Sequence, residues 1–268
     1  MTSNFKASTL VFAVCTLALN ILAVQPTLAG HLDQIKSNNT VRVCHWPSYY
    51  AISFQNSKNG KLEGIDIGLA NELAKDLGVK LEFVKTSFAT FIQDIKADKC
   101  DIAMFGVGIT EARAKHLDYS APYLRSDIYA IVPKTHATLK GWDDMDKEGH
   151  ILVVQKGTYM EDAASAFKKA SVLSVVKFQQ REKEVRTGRA DAFLTDYPYG
   201  KKILVTYDWA KLLEPSKPFW KTEYAYAINK GDPEWLAYIN GFVKRIKADG
   251  RLKKHAEANG LLPIAVLD

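Results

Sequence analysis

Strand-length apolar runs alternate with helical periodicity in two successive series, and that alternation builds βαβ units, parallel strands with helices packed across them. The first series holds runs at 41–46, 81–84 and 100–105. Ile65, Leu69, Leu73 and Leu77 recur at helical spacing with Gly78 as the stop, so a helix is expected there; Phe91, Ile92 and Ile95 mark a second. Asn59-Gly60 is a tight-turn signal and places a hairpin-like excursion between Phe54 and Leu62. The second series carries strands at 128–132, 151–154, 172–177 and 192–194, with a helix over 161–169. Two α/β units in one chain imply a cleft between them, with crossings expected at 125–130 and 223–227. The apolar-periodic segments 234–247 and 251–258 open no further strand series, so they are expected to return as helices onto the first unit.

The first 29 residues bear on where the chain works. Lys6 is their only charge, an apolar stretch runs from Leu10 to Val24, and Thr27-Leu-Ala29 offers small residues for cleavage before Gly30. This is the pattern of a secretory signal peptide; the apolar core is too short, and too interrupted by Thr16 and Asn20, for a membrane span. An uncleaved anchor is the alternative. Cys15 lies inside the apolar core behind Val14, which does not fit a lipoprotein. Cleavage leaves 239 residues, enough for two ordinary domains, and loss of Lys6 lowers the net charge from +6 to +5. The remaining charges are mixed in sign, with Lys201-Lys202 and Lys253-Lys254 as isolated pairs, so no nucleic-acid partner is expected.

An exported chain could oxidise Cys44 and Cys100. Cys44 sits late in its strand whereas Cys100 opens its own, so neighbouring parallel strands would hold the two thiols near opposite ends. Two free, buried thiols are expected. The six His are scattered without ligand spacing, so neither a metal nor a cofactor is expected.

Chemistry for gripping a carboxylate follows the 100–105 strand. Gly106-Val-Gly-Ile-Thr-Glu-Ala-Arg113 presents backbone N–H groups, the Thr110 hydroxyl and the Arg113 guanidinium at a strand exit, where open α/β sheets collect ligands. Taken alone, Thr110 as a plain N-cap and Arg113 as a solvated first-turn residue explain the same residues. The second series has polar points at corresponding places. Gly157-Thr158-Tyr159 follows one strand and Thr195-Asp196 another; Thr158 can cap a helix or offer donors to an anion, and Asp196 can accept from an ammonium group or cap the helix opening at Pro198. An Arg and Thr on one unit facing an Asp and a Gly-Thr turn on the other would hold both ends of a zwitterion.

With these motifs in this order, the mature chain resembles the polar amino-acid-binding periplasmic proteins of ABC importers, the family 3 solute-binding proteins. The resemblance runs through Gly60-Lys-Leu-Glu-Gly-Ile-Asp-Ile-Gly-Leu69, Asp101-Ile-Ala-Met, the 106–113 stretch, Asp118-Tyr-Ser-Ala-Pro-Tyr123, Gly157-Thr158, Gly188-Arg-Ala-Asp-Ala192 and Thr195-Asp196. It implies an α/β fold of the two-lobed periplasmic-binding-protein type (type II), each lobe a sandwich around a mostly parallel sheet, with the ligand cleft between lobes. Lobe 1 would hold residues 30–126 and 226–268, and lobe 2 residues 127–225. It further implies a monomer that binds a small-molecule ligand, an amino acid or similar carboxylate, and hands it to an ABC permease in the inner membrane.

The resemblance puts the ligand's α-carboxylate on Arg113, Thr110 and the Thr158 turn, and its α-amino group on Asp196 and the Gly106 carbonyl. Members often carry Thr or Ser where this chain has Gly108, so only backbone is offered there. Trp46, Tyr49 and Phe88 stand where members present aromatic walls, and Tyr159 is expected to close the other side; core packing is the alternative for Tyr49 and Phe88. Members that bind basic amino acids often carry an acid in place of Trp46. Cyclohexadienyl dehydratases are similar proteins on the same fold, with a carboxylate three residues after the Thr-Asp motif. Tyr199 stands there in this chain, so no catalytic residue is expected. A non-transport accessory or receptor role shares the fold and stays open.

Overall fold

The structure, a computed structural model, describes residues 1–2 and 30–268. The expected signal peptide therefore lies almost wholly outside the described residues.

The chain opens with α1 (His31–Ser37), β1 (Thr40–His45) and a small meander of β2 (Ser48–Tyr49), β3 (Ser53–Gln55) and β4 (Leu62–Glu63). Then come α2 (Ile65–Leu77), β5 (Lys80–Lys85), α3 (Phe91–Lys96), β6 (Ile102–Gly108), α4 (Glu111–Ala114), β7 (Leu117–Tyr119) and β8 (Leu124–Ser126). The second series is β9 (Tyr129–Pro133), β10 (Ile151–Gln155), α5 (Tyr159–Ala164), β11 (Ser171–Val175), α6 (Phe178–Arg186), β12 (Ala192–Thr195), α7 (Tyr197–Thr206) and β13 (Ala210–Leu213). β14 (Thr222–Asn229), α8 (Pro233–Ala248) and α9 (Arg251–Ala258) follow.

Two sheets share one plan. In the first the order is β5-β1-β6-β14-β7, with β8 also on β14; in the second it is β11-β10-β12-β9-β13. Each has three parallel strands with the first in the middle, followed by one antiparallel strand. The antiparallel strand comes from beyond a crossing in both cases: β9 follows the passage from the first sheet, and β14 follows the passage back. The return lies between Leu213 and Thr222, upstream of the expected 223–227, because β14 pairs with the first sheet from Thr222 onward.

Local chemistry explains the elements. Ile65, Leu69 and Leu73 of α2 are fully buried, and Gly78 ends the helix at φ +70, a left-handed value that costs glycine little. β6 is buried along its whole length, as a central strand covered on both faces must be. α5 ends at Ala164, short of the expected 169, because the amides of Lys168, Lys169 and Ala170 all donate to Asp146 Oδ1, at 2.8, 2.7 and 3.0 Å, and leave the helical ladder. α8 packs on α1 and α9 on α2, so the C-terminal helices do return to the first sheet. Trp235 anchors them, buried and donating its indole N–H to the Asp101 carbonyl at 3.0 Å.

The cysteine expectation is overturned. Cys44 and Cys100 form a disulfide, with Cα atoms 5.5 Å apart. β1 and β6 are parallel neighbours, with Cys44 opposite Ala103, but β6 begins only at Ile102. The chain bends at Asp101, so Cys100 lies off the strand line and distance counted along a strand does not apply to it.

Candidate functional site

The carboxyl ends of β1, β6, β10 and β12 converge between the sheets, at the points where strand order reverses. Arg113 stands at this junction. Thr110 caps α4, accepting from the Arg113 amide at 3.2 Å, so its N-cap role is realised. The guanidinium, by contrast, is not solvated. It is buried, 5.6 and 5.4 Å from the ring centres of Phe88 and Phe91, and donates to the Gly108 carbonyl at 2.6 Å and the Gly157 carbonyl at 2.9 Å. One side chain thus ties the exits of both sheets, and it forms no ion pair among the described residues.

Glycine is required on both sides of that tie. Gly157 has φ +81, and a Cβ there would lie 3.2 Å from the backbone of Phe88 and Ala89 across the cleft. At Gly108 a Cβ would meet Thr222 Cγ2 at 2.8 Å and Tyr159 Cδ1 at 3.0 Å. The space that a side chain at this position would need is taken by Thr222 and Tyr159. Gly106, at φ +66, donates its N–H to the buried Asp66 carboxylate at 2.8 Å and lies against the Tyr49 ring.

Asp196 is the acid of the site and is 1% exposed. Its Oδ1 caps α7, accepting from the Tyr199 amide at 3.3 Å. Its Oδ2 accepts from the Tyr224 hydroxyl at 2.8 Å and from that of Tyr49. Burial pushes its pKa up, against the hydrogen bonds from Tyr49 and Tyr224. Since Tyr224 gives its only proton to Asp196, the Tyr159 hydroxyl, 2.8 Å away, donates to Tyr224. A relay of hydroxyls thus links α5, β14 and α7 across the cleft. Tyr224 is not legible as a site residue in the sequence, where 223–227 reads as a crossing rather than as a strand beside Gly108.

Six expected residues, Trp46, Tyr49, Phe88, Thr158, Tyr159 and Asp196, line one small cavity, while Arg113, Thr110, Gly106 and Gly108 lie outside its lining. Thr158 turns its hydroxyl to the Gln155 carbonyl at 2.8 Å and does not cap α5. The walls leave about 20 Å³ for the centre of a water-sized sphere, room for little more than one water. Phe178 and Arg181 of α6 also line the space; Trp46 packs edge-on against Phe178, ring centres 5.0 Å apart. Tyr199 donates its hydroxyl to Glu182, and burial drives its pKa above the ordinary tyrosine value. The one grouping with metal-ligand geometry among the described residues, His31, Asp98 and Asp101, lies beyond the opposite ends of β1 and β6, and Arg42 already pairs with both acids.

The profile of the bacterial extracellular solute-binding proteins, family 3, matches residues 41–259. The chain belongs to this family. It is 29% identical over 254 residues to the cyclohexadienyl dehydratase of Pseudomonas aeruginosa, covering 92% of each chain. It is also 29% identical over 235 residues to the L-cystine-binding protein TcyJ of Escherichia coli, covering 85% of each. Among solved structures, the ancestral amino acid-binding protein AncCDT-1, a precursor of cyclohexadienyl dehydratase, is similar at 36% identity with a TM-score of 0.77, over 85% of this chain and 98% of that one. The substrate-binding protein AbpA of Streptococcus pneumoniae, bound to L-arginine, is similar at 27% identity with a TM-score of 0.76, over 87% and 99%. The two-lobed type II periplasmic-binding-protein fold is therefore that of this solute-binding protein.

Proposed function

We propose that this solute-binding protein is exported, captures an amino acid or related small carboxylate between its lobes, and delivers it to an ABC permease. The observation that carries the proposal is the pair of buried, opposite charges at the sheet exits: Arg113 after β6 and Asp196 after β12, neither ion-paired among the described residues. A zwitterion would set its carboxylate on Arg113 and its ammonium on Asp196, replacing tyrosine hydroxyls there. Lobe 1 would comprise 30–126 with 222–268, and lobe 2 the segment between; the pairing of β14 with the first sheet from Thr222 onward supports drawing the return there rather than at 226. The cavity is too small for such a ligand as it stands, so uptake requires the lobes to part and reclose, and the closed form is favoured only by interactions that the open form lacks. Residues 1–29 would serve as the export leader.

The proposed role is binding without turnover. At the position of the dehydratase carboxylate stands Tyr199, a weakened acid whose proton is engaged with Glu182. The similarity to the Pseudomonas enzyme makes dehydration the rival reading. Calorimetry on protein unfolded and refolded to strip carried-over ligand tests the proposal: at least one amino acid should bind, and Arg113→Ala should cost about 2–5 kcal/mol of affinity. Unchanged affinity in that variant refutes the carboxylate assignment. Formation of aromatic product from prephenate or arogenate, above that of an Asp196→Asn control, refutes the binding-only role.

A further inference from the structure

Arg181 is the second guanidinium at the site, and the proposed ligand grip does not use it. It projects from α6 with 1% exposure and lines the same cavity as Asp196. Its Nη1 donates to the Leu194 carbonyl at 2.7 Å, while Nε and Nη2 have no partner among the described residues. Thr195, on the same cavity wall, also buries its Oγ1 without a partner among them. Glu182 is next in sequence, but its carboxylate accepts from Tyr199 and forms no ion pair with Arg181. Such orphaned donors are rare in buried positions because each forfeits its hydration.

The arrangement of charges sharpens the point. Among the described residues, Asp196 is the one acid in the lining of the cavity that Arg181 lines; Glu182, buried nearby, acts on Arg181 through space but has its carboxylate held by Tyr199. An α-amino acid with a neutral side chain brings one carboxylate for Arg113 and one ammonium for Asp196, which leaves the free N–H groups of Arg181 without an acceptor. A basic side chain would add a like charge beside it. The rings of Phe178, Phe193 and Tyr199, with centres 4.1, 5.1 and 5.3 Å from the guanidinium carbon, support the cation but supply no hydrogen-bond acceptor in the guanidinium plane. Burial lowers the Arg181 pKa, yet a guanidinium stays protonated, so the positive charge persists.

Resting on the binding role proposed above, we propose that the pocket selects an α-amino acid whose side chain ends in a second carboxylate, received by Arg181 and the Thr195 hydroxyl. The aromatic walls then pack the apolar part of the side chain between the two ends. Arg181 is thereby the residue that rejects arginine and lysine.

The test is calorimetry on refolded wild-type protein with L-glutamate, L-aspartate and L-2-aminoadipate against L-glutamine, L-asparagine and L-arginine. At least one acid should bind about 30-fold or more tightly than its amide and than arginine, the scale set by leaving a buried charge unpaired. Arg181→Met should remove most of that preference while changing amide affinity less than the acid's. Arg181→Lys, which keeps the charge and loses the fork, should retain part of it. The wild-type ratio decides the matter even where a variant fails to fold. A neutral or basic amino acid that binds as well as the acids overturns this inference and leaves the binding role standing. No binding by any member of the panel overturns this inference, and the binding role falls with it only if the remaining amino acids and related small carboxylates also fail to bind.

Discussion

Gly108 shows how one missing side chain reorganises the site. The space a Cβ would need is held by Thr222 and Tyr159, so Gly108→Ala should destabilise the protein by about 1–3 kcal/mol through overpacking. Thr222→Ser removes the Cγ2 responsible for the 2.8 Å clash, so the double variant should recover part of the loss. Denaturant melts of the four proteins measure the coupling, and strict additivity would show that Thr222 is not the obstacle. Residue identity was legible at this scale where a side chain has one job. Thr110 caps as its sequence context says, and Asp196 does two things at once, capping α7 and holding the tyrosine hydroxyls. Arg113 departs from the simple expectation, since its neighbours Phe88 and Gly157 come from distant segments that no local pattern connects to it.

At the scale of elements, the periodic segments declared themselves. α2 spans Ile65–Leu77 and stops where Gly78 predicts, and α9 spans the expected 251–258. β14 did not, because its burial on both faces erases the alternation that marks a half-exposed strand, and its partners lie about a hundred residues upstream. The disulfide belongs here too. It links the end of β1 to the approach of β6 with a sequence separation of 56, so closing that loop should restrict the unfolded chain and contribute about 2–4 kcal/mol. A Cys44→Ala, Cys100→Ala protein, or the wild type under reductant, should unfold at correspondingly lower denaturant. Equal midpoints with and without reductant would remove the bond from the stability account.

For the molecule as a whole, two buried groups set opposing pH dependences. Asp66 is fully buried; burial raises its pKa from 3.8 to about 7 despite hydrogen bonds from Tyr123 and Gly106. Its contribution to stability is complete below its ordinary value and is lost as pH rises through about 7. His45 behaves in the opposite sense: burial, aided by Lys85, lowers its pKa from 6.5 to about 4, so its contribution is present above 6.5 and lost as pH falls toward 4. The two slopes offset one another between pH 4 and 6.5. Relative to wild type, Asp66→Asn should gain stability with rising pH across this window, and His45→Gln should lose it. Difference curves from denaturant melts at several pH values check the sign of each.

The sequence by itself determined the two α/β series, the ends of the strongly periodic helices, and the polar residues at the strand exits. Those depend on contacts within a few residues and on the 3.6 and 2.0 periodicities. Tertiary structure alone decided which exits face each other, that the chain bends before Ile102 to bring Cys100 to Cys44, and that β14 delivers Tyr224 to Asp196. Arg181 makes the division plain. In the run Gln179-Gln-Arg-Glu-Lys-Glu184 it has the local signature of a solvated helix face, yet Phe178, Phe193 and Tyr199 close over it. Burial is a property of what packs from elsewhere, and a one-dimensional pattern carries no record of it.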